Sequence, residues 1–88
     1  MEITEVRVFP VEEERLKGYA TITFDACFVV RDVKIISGPK GLFVAMPSKK
    51  RKDGTHRDTA HPLNSQIRGK IEDRVLKAYQ EVIAKSTS

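Results

Sequence analysis

A change of hydrophobic period most constrains the fold: up to Met46 apolar residues recur at every second position in short runs, and from Ile67 they recur at helical spacing. In Thr4-Glu5-Val6-Arg7-Val8 the two valines share a face opposite Glu5 and Arg7, the pattern of a half-buried strand. Tyr19 to Phe24 repeats it, with Ala20, Ile22 and Phe24 inward and Tyr19, Thr21 and Thr23 outward. From Cys27 to Ile36 the phase slips. Phe28 and Val30 have one parity, Val33 and Ile35 the other, and a bulge near Arg31-Asp32 would return them to a common inner face. Cys27 is expected to be a buried small hydrophobe. After the Ser37–Gly41 turn, Leu42 to Met46 makes a fourth strand that Pro47 closes.

Strands joined this closely predict an antiparallel meander rather than βαβ units. Arg57 to Leu63 reads as a short extended piece, because Pro62 keeps His61 out of helical angles. Asn64 or Ser65 can cap a helix whose apolar stripe is Ile67, Ile71, Val75, Ala78, Tyr79, Val82 and Ile83. The expected class is α+β, an antiparallel sheet of four to five strands followed by a C-terminal helix packed on it. One domain over residues 1–85 uses the whole 88-residue chain except a frayed tail, Ser86-Thr87-Ser88.

Charge points to function. The net charge of +4 is not spread evenly: Lys49-Lys50-Arg51-Lys52-Asp53-Gly54-Thr55-His56-Arg57 has five basic residues and one acidic, and the remainder holds eleven of each sign. Asp53-Gly54 is a turn pair, so this cluster should lie on an exposed loop where its field reaches polyanions. Lys49, Lys50, Arg51, Lys52 and Arg57 are the candidate nucleic-acid-binding residues, with Arg68 and Lys70 near the helix start in reserve. Dimerisation would double the footprint. The fourth strand, apolar on both parities, suggests a homodimer that continues the sheet through β-edge contacts, with Phe43 in its interface. Phe9, Tyr19 and Phe43 fall on the outer face, where aromatic rings serve either packing or base stacking.

Other classes find less support. One cysteine cannot form an internal disulfide, and His56-x-Asp58-x-x-His61 lacks the rigid spacing of a zinc site, so no metal is expected. His61 is instead expected to hydrogen-bond backbone at the junction before the helix. Neither GxGxxG nor GxxxxGK[ST] occurs, so no cofactor is expected and an enzyme is not. No apolar run approaches the roughly 18 residues of a membrane span, and no secretory signal opens the chain, so no membrane association and a cytoplasmic location are expected.

The stretch Gly41-Leu42-Phe43-Val44-Ala45-Met46-Pro47-Ser48-Lys49, then Asp53-Gly54, then Arg57-Asp58-Thr59-Ala60-His61-Pro62-Leu63-Asn64, resembles the bacterial SpoVG family of sporulation and septation proteins. The similarity runs from Thr4-Glu5-Val6-Arg7 through Arg68-Gly69-Lys70-Ile71 and so covers essentially the whole chain. The resemblance implies a small α+β homodimer that binds DNA and RNA as a regulator and influences division-septum formation. It also implies that Lys49, Lys50, Arg51 and Arg57 are among the binding positions. Family members commonly place a Thr-Pro-like pair before the Asp-Gly turn and an aromatic residue after it; here Arg51-Lys52 and Thr55-His56 stand there, which raises the charge. Two alternatives stay open: a protein-interaction module acting on division or envelope machinery, and a metal-dependent enzyme.

Overall fold

The computed structural model describes residues 1–86. Four strands, β1 (Ile3–Pro10), β2 (Leu16–Phe24), β3 (Phe28–Gly38) and β4 (Gly41–Ala45), form one antiparallel sheet in chain order. Two short strands, β5 (Ser48–Lys50) and β6 (His56–Asp58), make a separate antiparallel pair, and the helix α1 spans Ser65–Ser86. The α+β class with a C-terminal helix on the sheet is therefore observed, with the extra pair added beyond the meander. The helix includes Ser86; Thr87 and Ser88 of the expected tail lie outside the described residues.

The alternation does what its period demands. Val8, Ala20, Ile22, Phe24, Val33, Ile35 and Val44 point from the sheet into the core and meet Ile71 and Val75 from the helix. The phase slip in β3 is resolved by a bulge: Ala20 stands opposite Val33 but Ile22 stands opposite Val30, so Arg31 and Asp32 share the place facing Thr21. Asp32 carries the bend at φ 62°, a left-handed conformation that aspartate tolerates better than most residues. One extra residue thus keeps Val30 and Val33 both on the helix side.

Asn64 starts the helix, its Oδ1 accepting the Ile67 amide at 2.8 Å, so of the two possible caps the structure selects Asn64. Arg74 ties the helix to the sheet edge by donating from Nη1 to the Ile3 carbonyl at 3.1 Å. Leu76 joins the packed stripe, a contact the spacing argument did not include.

Cys27 is not buried. It lies in the β2–β3 turn, where Asp25 and Ala26 both have positive φ and the Cys27 amide bonds the Phe24 carbonyl, so β3 begins one residue later than expected and the thiol faces solvent. Phe28 is likewise 65% exposed, at the strand's first position.

Candidate nucleic-acid interface

The basic segment is a β-hairpin rather than a loop. Lys49 stands opposite Arg57, Lys50 opposite His56 and Ser48 opposite Asp58. At its root the Thr59 amide and hydroxyl both donate to the Pro47 carbonyl, at 2.8 and 3.1 Å. At its tip the Arg51 amide donates to the Thr55 carbonyl at 2.7 Å and the Gly54 amide to the Arg51 carbonyl at 3.0 Å. Gly54 has φ 91°, which glycine adopts without steric cost and which closes a three-residue hairpin loop.

Asp53 braces this tip. Its Oδ1 accepts the Thr55 hydroxyl at 2.7 Å and the Thr55 amide at 3.0 Å. Those hydrogen bonds, the one from the hydroxyl foremost, favour the carboxylate and hold Asp53 below the ordinary carboxylate range. The acidic residue in the cluster therefore shapes the turn that presents the cations.

Every residue from Ser48 to Thr59 is exposed, so the hairpin leaves the domain with neither face packed. Lys49, Lys50, Arg51, Lys52 and Arg57 line one open depression of about 570 Å³ together with Asp58 and Thr59. The structure thus brings the five main candidates together. Among the described residues none of the five is held in an ion pair. A phosphate need not displace a carboxylate to reach them.

The two reserve residues are elsewhere. Lys70 lines a different depression with Glu2, Asp73 and Arg74, and Arg68 is 3.9 Å from Glu72 on the next helical turn. Carboxylates close to both dilute their fields, so they do not extend the hairpin patch.

His56 and Asp58 belong to the hairpin, whereas His61 lies past its root with Nδ1 3.1 Å from the Pro62 carbonyl, the backbone contact expected of it. Among the described residues no group of three or more His, Cys, Asp or Glu gathers closely enough to hold a metal ion. Among the described residues no helix is long and apolar enough to cross a membrane.

Phe43 is 41% exposed and opposite Ile36 on the sheet face away from the helix. Its ring covers Gly38, where an added Cβ would come within 2.9 Å of Phe43 Cε1. In the next register row Phe9, Tyr19, Lys34 and Ala45 cross the same face, and Phe9 is 55% exposed. The outer aromatics therefore form a surface of their own, apart from the hairpin.

Comparison with known families matches residues 1–81 to the SpoVG model, a span that takes in the sheet, the hairpin and most of the helix. The chain belongs to the SpoVG family. A SpoVG relative from Bdellovibrio bacteriovorus is 64% identical over 81 residues, covering 92% of this chain and 75% of that one. One from Anaeromyxobacter dehalogenans is 60% identical over 88 residues, covering 100% of this chain and 87% of its own. A third, from Myxococcus xanthus, is 61% identical over 80 residues, covering 91% and 81%. All three carry the name "Putative septation protein SpoVG". Sequence reasoning placed the SpoVG cations but missed the strand pairing that sorts them; the signal was Asp53-Gly54 at the centre of two arms of similar length.

Proposed function

We propose that this SpoVG chain is a non-enzymatic, nucleic-acid-binding regulator that holds DNA or RNA on its basic hairpin and works as a homodimer in the bacterial cytoplasm, with effects on gene expression, septation and sporulation. One observation carries the reading: residues 49–57 of the hairpin, exposed along their whole length, hold five cations and one carboxylate, and the rest of the chain is neutral. Such a patch offers phosphate a favourable field at little desolvation cost. The family name borne by the relatives supports the septation link. The outer face bearing Phe9, Tyr19 and Phe43 supports the dimer, since exposed aromatics in one patch favour association. It also favours the second reading, a module that docks on division-machinery proteins by that face.

The deciding experiment titrates labelled duplex DNA, single-stranded DNA and RNA across a salt series. Three or four phosphate contacts per protomer in a dimer give a log–log salt slope on duplex DNA of about −5 to −7. Absence of binding at low salt to all three would refute the reading, and retention of protein partners after nuclease treatment would favour the module.

A further inference from the structure

The hairpin's register divides its cations unequally. Residues opposite each other in an antiparallel pair project to the same side, and alternate pairs project to opposite sides. Lys49 with Arg57 and Arg51 with Thr55 therefore share one face, while Lys50 with His56 and Ser48 with Asp58 share the other. The first face carries three cations and no carboxylate. The second carries Lys50 and Asp58, whose formal charges cancel, and at the tip Lys52 is adjacent to Asp53.

We infer that the hairpin binds the phosphodiester backbone with one face only, that of Lys49, Arg51 and Arg57. The inference rests on the nucleic-acid reading above and refines it. Lys49 and Arg57 are paired across the strands with Cα atoms about 5.5 Å apart, and Arg51 lies about 7 Å further along. A patch of that length spans about two phosphates of one DNA strand, given one charge per roughly 3.4 Å of axis on each strand. Two of its three cations are guanidiniums, whose fixed fork suits phosphate oxygens. All five border the open depression, but by register Lys50 has the other parity, with Asp58, and Lys52 is a turn residue next to Asp53. These two add to net charge without supplying a directed contact.

The test is a set of single substitutions, Lys49→Ala, Arg51→Ala, Arg57→Ala, Lys50→Ala and Lys52→Ala, each titrated in a salt series against two unrelated 20-base-pair duplexes. All five lose the same formal charge, so net charge alone predicts five equal effects. The one-face arrangement predicts that the first three each weaken binding about tenfold or more at 0.15 M salt. Each also flattens the slope by roughly two in a dimer, on both duplexes alike. Lys50→Ala and Lys52→Ala should each weaken binding by no more than about threefold and flatten the slope less than any of the first three. Circular dichroism melts should overlay for all five, because no hairpin side chain is buried. Five equal losses, or greater losses at Lys50 or Lys52, would overturn the face assignment and leave nucleic-acid binding intact. Failure of the parent protein to bind either duplex, single-stranded DNA or RNA would instead remove the reading on which it rests.

Discussion

Asn64 and Asp53 do comparable work at two turns, each using a short side-chain oxygen to satisfy backbone amides that the adjoining element leaves open. Asn64→Ala removes the acceptor for the Ile67 amide and should destabilise the protein by about 1 kcal/mol in a urea titration. Asp53 offers a pH readout. Its pKa is depressed in the folded protein, so the bracing it supplies is present above the ordinary aspartate pKa, near 3.9, and is lost as pH falls through the lower folded value. In a carboxyl-detected NMR titration Asp53 should ionise below an unpaired aspartate, and Thr55→Ala should move it upward. Because the group is fully solvent-exposed, global stability should scarcely follow this titration. Cys27 illustrates what residue type alone cannot reveal: cysteine is commonly buried, but two positive-φ neighbours place this one in a turn.

Strands and helix were legible because burial imposes a period, and the β3 bulge was legible because Val33 and Ile35 broke that period. The β5–β6 pair was not. Its three-residue strands are exposed on both sides, so no apolar alternation marks them, and charge density alone suggested a loop. The five binding candidates could be chosen from composition, but their division between two faces depends on register, which the turn and the Pro47–Thr59 clamp determine. Replacing Lys49, Lys50, Arg51 and Lys52 together with alanine should abolish nucleic-acid binding in a mobility-shift assay and leave the melting temperature within about 2 °C, since exposed positions away from caps and core contribute little. The converse holds for the helix. Ile71 is 4% exposed against the sheet, so Ile71→Ala should cost about 2–5 kcal/mol in chemical denaturation.

For the molecule as a whole the sheet's outer face, where Phe9, Tyr19 and Phe43 are exposed, is the surface that association would use. The expected homodimer continues the sheet at β4, and Phe43 lies on that outer face, over Gly38 and one register row from Phe9 and Tyr19. A homodimer joined there should appear at about twice 9.9 kDa in light scattering at micromolar concentration. Phe43→Glu should convert it to a folded monomer, and a monomeric parent at those concentrations would exclude this association. One property of the hairpin reaches further than any single contact. Because none of its residues from Ser48 to Thr59 is buried, substitutions there escape the usual trade between activity and stability. The domain can therefore act as a fixed handle for an exchangeable tip: swapping the 48–59 segment between relatives should transfer binding preference while each recipient keeps its own thermal stability.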